Sequence, residues 1–358
     1  MPPPLQVAIR ADAGIAIGAG HVMRCLTLAE DLRKTGGEVS FVCRAGAGDA
    51  IDIIRERGFR MQILDAMADW RADAEQTTRA LATRGLLDWI VVDHYGLDAQ
   101  WESRLRAGSQ HILVIDDLAN RDHDCDALLD QNFYVGAAQR YTGRVPADCR
   151  LFLGPAYALL RAEFREAACR PRDRSGPVRR LLVTFGATDP TDETGKVLAA
   201  LRTLDSRALA VDVVVGAANP RREQIEALCT TLPSVRCHVQ TSHMAELMWA
   251  ADLAVGAGGA TTWERCVLGL PSLTVVIADN QLQTTTDLAA AGAIRYLGWA
   301  ENLAAVDYEA AIRSAIDNPA RLQELSARAH AIMGLATTLL PADQHPLVDA
   351  MLHAPQHT

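Results

Sequence analysis

Gly18-Ala19-Gly20-His21 stands between the apolar run Leu5-Gln6-Val7-Ala8-Ile9 and a helical pattern that begins near Val22. A strand, a glycine-rich turn and a helix in that order place His21 at a helix N-terminus, where unpaired backbone N–H groups favour negative charge. The same partial positive charge disfavours an imidazolium, so this reading predicts a neutral His21 that can take a proton from water beside a phosphorylated ligand. The structural alternative is a turn that needs glycine for its backbone angles, followed by a histidine that caps a helix.

Outward from this stretch the same alternation repeats. Apolar runs of strand length at 5–9, 39–43, 61–64, 89–92 and 112–115 are separated by helical patterns such as 22–34 and 74–84. Buried runs alternating with helices predict a parallel sheet covered on both faces. A polar, proline-bearing stretch, Arg170-Pro171-Arg172-Asp173-Arg174-Ser175-Gly176-Pro177, then reads as a linker. Beyond it, strand-like runs at 180–185, 210–215, 253–255 and 272–277 alternate with helical patterns at 191–203, 221–231, 261–268 and 281–291. The expected organisation is an N-terminal Rossmann-like domain over 1–169, a C-terminal one over 178–340 and a tail over 341–358, with helical patterns at 308–316 and 321–332. Two doubly wound halves imply a central cleft lined by strand C-terminal ends, where ligands of open α/β sheets bind.

Composition narrows the class. At 358 residues, 49% of them hydrophobic, the chain is long enough for two cores. A net charge of −9 and 5% aromatic residues argue against a nucleic-acid footprint and a polybasic membrane patch. The eight cysteines include no C-x-x-C pair and read as reduced thiols. Met1-Pro2-Pro3-Pro4 lacks a signal peptide's basic start, and no apolar run reaches the ~18 residues of a membrane span. A cytoplasmic enzyme, a monomer without cofactor, is the expectation.

Loops at strand ends carry the polar candidates. Asp93-His94-Tyr95-Gly96 follows a strand directly. There Asp93 can orient an imidazole and Tyr95 can hydrogen-bond a sugar, or the residues simply end a strand in a turn. Asp116-Asp117 ends the next strand, as a cation-binding pair or, more commonly, a turn. Asp122-His123-Asp124-Cys125-Asp126 lacks a second cluster at zinc spacing, so it reads as a solvated loop and no metal is expected. In the second half, Ala257-Gly258-Gly259-Ala260-Thr261-Thr262-Trp263-Glu264 follows a strand and opens a helix. Small residues let backbone amides close on a diphosphate, Thr261 and Thr262 add hydroxyls, and Glu264 can accept from ribose hydroxyls. Asp279-Asn280-Gln281 can reach the same ligand or cap the next helix. Arg24, one turn after His21, can touch phosphates or lie on the surface.

As a set, these motifs resemble a known family. Arg10-Ala11-Asp12, Gly18-x-Gly20-His21-x-x-Arg24, Asp93-His94-Tyr95-Gly96, Ile115-Asp116-Asp117-Leu118-Ala119-Asn120-Arg121, Tyr157-Ala158-Leu159-Leu160-Arg161 and Gly258-Gly259-Ala260-Thr261-Thr262-Trp263-Glu264 are similar to those of the UDP-2,4-diacetamido-2,4,6-trideoxy-β-L-altropyranose hydrolases of pseudaminic acid biosynthesis. The match runs in order from about Ala8 to Ala291. The resemblance implies a GT-B-type fold related to the MurG glycosyltransferases. It also implies metal-independent release of UDP and free sugar by water attack at the anomeric carbon with inversion, in a pathway that serves flagellin glycosylation.

The family's histidine base falls on His21, with Asp93 and Tyr95 beside it. UDP binding falls on Gly259, Ala260, Thr261, Glu264 and Asn280. The resemblance also places Asp12, Gly18, Gly20, Arg24 and Arg161 among the substrate-binding residues. One departure is Gly186-Ala187-Thr188-Asp189-Pro190, where a second glycine is expected at Ala187. Two other functions are compatible with the motifs: a MurG-like transferase that passes the sugar to an acceptor, and a nucleotide-sugar-binding protein without turnover.

Overall fold

A computed structural model describes residues 3–14, 17–65, 69–170, 172–204, 209–334, 339–341 and 345–355; Met1, Pro2 and Pro171, named above, lie outside them. The chain divides into two compact units, Met1–Asn132 with Gly136–Leu159 and Ala336–Thr358, and Phe133–Val135 with Leu160–Leu335.

The first unit is built on seven parallel strands, β1 (Gln6–Ala11), β2 (Glu38–Arg44), β3 (Arg60–Leu64), β4 (Leu87–Asp93), β5 (Ser109–Ile115), β6 (Ala127–Asp130) and β7 (Arg150–Leu153). Their order is β3-β2-β1-β4-β5-β6-β7, so the winding reverses between β1 and β4. Helices α1 (Gly20–Lys34), α2 (Ile51–Glu56), α3 (Trp70–Leu81) and α4 (Ala99–Leu105) connect the early strands. Both faces are covered: Ile9, Val91 and Leu113 pack on one side with Leu26 and Leu28 of α1, and Ala8, Ile90 and Ile112 on the other with Trp101 of α4. Strand β1 runs two residues past the apolar stretch seen in the sequence. Arg10 is buried there because Asp12 and Asp73 each hold its guanidinium, at 2.6 and 2.7 Å.

The second unit carries helices α5 (Ala162–Ala168), α6 (Glu193–Thr203), α7 (Arg222–Thr230), α8 (Met244–Ala250), α9 (Thr261–Val267), α10 (Leu282–Ala290), α11 (Ala305–Ile316) and α12 (Pro319–Met333). Its six parallel strands are β8 (Arg180–Thr184), β9 (Ala210–Val215), β10 (Val235–Val239), β11 (Leu253–Ala257), β12 (Ser272–Val276) and β13 (Arg295–Trp299), in the order β10-β9-β8-β11-β12-β13. The reversal here lies between β8 and β11.

Three features differ from the sequence reading. Strands β6, β7, β10 and β13 were not among the expected ones. β6 and β7 are four residues long, and β10 and β13 are edge strands with half-exposed polar residues, so none makes a long apolar run. The polar stretch at 170–177, read as the linker, belongs to the second unit, and the chain crosses at Leu159 and Leu160 instead. It is anchored because Arg172 pairs with Asp252 at 2.6 Å, and Arg174 donates to backbone carbonyls of Ala251 and Leu268. The last helix, α13 (Pro346–Leu352), is not a separate tail: Leu347, Val348, Ala350 and Met351 are buried in the core of the first unit.

Candidate active site

In the first unit the polar candidates collect at the C-terminal ends of β1, β4 and β5, on either side of the point where the winding reverses. That position is where an open α/β sheet leaves a crevice. The turn into α1 is closed by hydrogen bonds between Gly14 and Gly18, with Gly18 N donating to Gly14 O at 2.7 Å. Gly18 has φ +72°, a conformation open to glycine, whereas a Cβ at Gly20 would meet nothing within 4 Å. No neighbour in the described chain demands glycine at position 20.

His21, the second residue of α1, is buried, and its Nδ1 lies 2.5 Å from Asp93 Oδ1. Asp93 ends β4 with no exposed surface. Burial alone would push its carboxyl up, but the Arg24 charge and the hydrogen bonds from Arg24 and His21 hold it well below the usual carboxylate range. Arg24 grips both its oxygens, Nε to Oδ2 at 2.6 Å and Nη2 to Oδ1 at 2.7 Å. The surface alternative for Arg24 is therefore overturned: a helix face turned toward β4 buries it against two carboxylates. Tyr95 packs edge-on against His21 with ring centroids 4.5 Å apart, and its hydroxyl donates to Asp117 at 2.7 Å.

Asp12 follows β1 and accepts from Arg10, from the Arg44 backbone N–H and, as an ion pair at 3.4 Å, from His94. It ties the end of β1 to β2 through Arg44 and to the loop after β4 through His94. The sequence reads Asp117 as half of a cation-binding pair or, more commonly, of a turn. Its neighbour Asp116 makes that turn, accepting the Ala119 N–H at 2.8 Å, which frees Asp117 to meet Arg24 and Tyr95. The loop at 122–126 is not solvated as expected. His123 and Cys125 are buried, with Nδ1 of His123 on Glu102 at 2.8 Å, while Asp124 and Asp126 pair with Arg106. Among the described residues no three His, Cys, Asp or Glu are placed to hold a metal ion.

In the second unit the small-residue loop joins β11 to α9 at the second reversal. Gly258 is required by close packing, since a Cβ would lie 2.3 Å from Thr285 Oγ1 of α10. Gly259 faces Gln281, whose neighbour Asn280 sits in the turn before α10, so the loop and the 279–281 turn adjoin. Ala260 directly precedes α9, and Thr261 begins it. Glu264, one turn in, takes Arg161 on Oε1 at 3.0 Å, while its buried Oε2 has no hydrogen-bond partner among the described residues. Burial pushes the Glu264 carboxyl up despite Arg161. A carboxylate oxygen held in place and unsatisfied is a ready acceptor for a ligand hydroxyl.

Arg265 was missed by sequence reasoning. It is fully buried, and its guanidinium donates to Ala257 O at 2.8 Å, Thr262 Oγ1 at 3.1 Å and Thr261 Oγ1 at 3.3 Å. Burial lowers it to about 10. Because both threonines accept from Arg265, their hydroxyl protons are turned away from it, as donors. The corresponding turn after β8, which holds Ala187, differs: Asp189 accepts the Glu193 and Thr194 N–H groups at 2.9 Å, so the first amides of α6 are already occupied by a carboxylate.

Residues 181–338 match the glycosyltransferase family 28 C-terminal domain. This family 28 match spans β8 to the end of α12 and contains the small-residue loop, Glu264 and Asn280. Over a longer stretch the chain is 25% identical to the UDP-2,4-diacetamido-2,4,6-trideoxy-β-L-altropyranose hydrolase of Campylobacter jejuni, covering 80% of this chain and 97% of that one. It is 27% identical to the spore coat polysaccharide biosynthesis protein SpsG of Bacillus subtilis, covering 83% and 85%. An uncharacterized protein of Methanocaldococcus jannaschii is 26% identical over 78% of this chain, and there the match spans 57% of the relative's length. These relatives bear out the resemblance read from the motifs. Among solved structures, MurG of Acinetobacter baumannii superposes with a TM-score of 0.65 at 15% identity, over 98% of this chain and 99% of that one. The UDP-GlcNAc 2-epimerase of Neisseria meningitidis gives 0.64 at 11% identity, over 98% and 100%. The fold is GT-B-like, as expected.

Proposed function

We propose that the chain is a UDP-sugar hydrolase that converts a UDP-linked 2,4-diacetamido-2,4,6-trideoxy sugar to UDP and the free sugar, with inversion. The observation that carries this reading is the hydrogen bond between His21 Nδ1 and the ionised Asp93. With Nδ1–H committed to the carboxylate, Nε2 is left as a proton acceptor. A water held there loses a proton to Nε2 as its oxygen bonds to the anomeric carbon. The C–O bond to the β-phosphate breaks with its electron pair leaving on UDP, and the proton passes from His21 to solvent. UDP is a good leaving group, so the chain's tasks are to orient the water, take its proton and stabilise the developing diphosphate charge.

In this reading the second unit holds the nucleotide: Glu264 Oε2 accepts from the ribose, and the Gly259-Ala260-Thr261 loop with Asn280 holds the diphosphate. The names of the Campylobacter and Bacillus relatives, a UDP-2,4-diacetamido-2,4,6-trideoxy-β-L-altropyranose hydrolase and a spore coat polysaccharide biosynthesis protein, support a substrate among UDP-linked diacetamido sugars. The test is incubation with a panel of UDP-sugars, following UDP release and the anomeric configuration of the product by NMR. Release of free α- or β-sugar of opposite configuration to the substrate is expected. UDP release that requires an added acceptor would replace hydrolysis by transfer, and binding without turnover would leave a nucleotide-sugar-binding protein.

A further inference from the structure

Arg24 is where the side chains around His21 meet. Its Nε and Nη2 hold the two oxygens of Asp93, while Nη1 reaches Asp117 Oδ2 at 3.1 Å. Each of these carboxylates also holds one ring, Asp93 that of His21 and Asp117 that of Tyr95. The two rings touch edge to face and close the circuit. Asp93 is fully buried and the Arg24 side chain nearly so, which protects these bonds from exchange with water.

The positions of the protons follow from which groups can donate. Arg24 Nη2 also lies 3.2 Å from His21 Nδ1, but the shorter 2.5 Å approach of Nδ1 to an ionised carboxylate oxygen, which only accepts, needs a proton between them, so His21 directs its Nδ1–H at Asp93 and Tyr95 directs its hydroxyl proton at Asp117. Each ring then offers a ligand a lone pair, Nε2 on His21 and Oη on Tyr95. A single water can donate one proton to each and keep its own lone pair for carbon.

We propose that Arg24 is a positioning residue that bridges Asp93 and Asp117 so that His21 and Tyr95 face the substrate as a pair of hydrogen-bond acceptors for the attacking water, with Asp117 orienting Tyr95. This rests on the hydrolytic reading above. The charged and titratable groups of the cluster are Arg24 and Cys25 from α1, Asp93 from β4, Tyr95 from the loop after β4 and Asp117 from the loop after β5. Cys25 donates weakly to Asp93 at 3.5 Å, and burial holds its thiol well above the ordinary range, so it stays neutral.

Imidazole nitrogen NMR of the full chain tests the proton positions without substrate. The neutral imidazole of His21 should carry its proton on Nδ1 with Nε2 bare, and the opposite tautomer overturns the proposal. In Arg24→Met the bridge between Asp93 and Asp117 is lost, so kcat should fall about tenfold or more with KM little changed. Arg24→Lys keeps a charge for Asp93 but cannot bridge two carboxylates; it should also lower kcat about tenfold or more and change KM little. This milder variant also decides the matter if Arg24→Met does not fold. Asp117→Ala should lower kcat in the native chain and have no further effect in a Tyr95→Phe background. Folded Arg24 variants with wild-type kcat, or additive losses for Asp117 and Tyr95, overturn the assignment. If no UDP-sugar is turned over, the hydrolytic reading fails, while the imidazole tautomer still decides the arrangement of protons.

Discussion

At His21 one hydrogen bond decides which nitrogen can do chemistry. Asp93 occupies Nδ1 at 2.5 Å, so a base must act through Nε2. His21→Asn should therefore keep the fold and UDP affinity and lower kcat by about 10²-fold or more, because the proton acceptor matters mainly in the transition state. A folded variant that releases UDP at the wild-type rate in a steady-state assay would remove His21 as the base. Asp130, at the end of β6, behaves in the opposite sense to Asp93. Burial pushes its carboxyl up to about 7, against the Asn132 N–H and the Tyr141 hydroxyl that favour the charge. This folded value lies above the ~3.9 of an unfolded aspartate. The group thus contributes stability in full below about pH 4 and loses it as pH rises through its folded value. Asp130→Asn should unfold later than wild type at about pH 8, by ~1–3 kcal/mol, with the gain vanishing near pH 4. Thermal melts at the two pH values check the sign, and an equal shift at both would place the effect elsewhere.

Among the elements, α13 has the clearest consequence. Seven residues would not hold a helix alone in water, so its stability comes from the first unit's core. Its Leu347 and Met351 are buried there, the Trp89 indole N–H donates to Met351 O at 3.0 Å, and His111 Nε2 meets Pro355 O at 2.9 Å. A chain ending at Gly334 would expose the sheet face under α13. Its first-unit calorimetric transition should fall by more than 5 °C, roughly the effect of losing one large buried side chain, while the second-unit transition holds. Coincident loss of both transitions would show that α13 supports more than the unit it packs on. The sequence from Pro341 onward has only one short apolar pattern, so nothing local marks which core it joins.

At the scale of the whole molecule, the two units divide the work in the proposed reaction. Glu264→Ala should weaken UDP binding by ~1.5–3 kcal/mol, since ribose hydroxyls lose a charged acceptor. His21→Asn should leave UDP affinity unchanged. Titration calorimetry on both variants tests the division, and an unchanged affinity in Glu264→Ala would take that carboxylate out of the nucleotide site. The motifs behind this proposal are visible in residue order: the glycine-rich turn before His21 and the small-residue loop before Glu264 each follow a strand and open a helix.

The amino-acid sequence alone determined the two doubly wound sheets, because fully buried parallel strands leave continuous apolar runs and the helices between them carry their own period. It also offered His21, Asp93, Tyr95 and Glu264 as candidates, since His21 opens a helix after a glycine-rich turn, Asp93 ends a strand with Tyr95 in the loop behind it, and Glu264 lies one turn into a helix after a run of small residues. It could not assign Asp117 its partner, reveal Arg265 beneath the loop, or send α13 back to the first unit. Those depend on side chains that meet across 93 or 262 positions of chain, as Arg24 with Asp117 and Trp89 with Met351 do, and on the packing that buries Arg265. Residue type limits what a charge or an indole can bond to, but only the packing of the sheets and helices brings a particular partner within reach and excludes the water that would otherwise take its place.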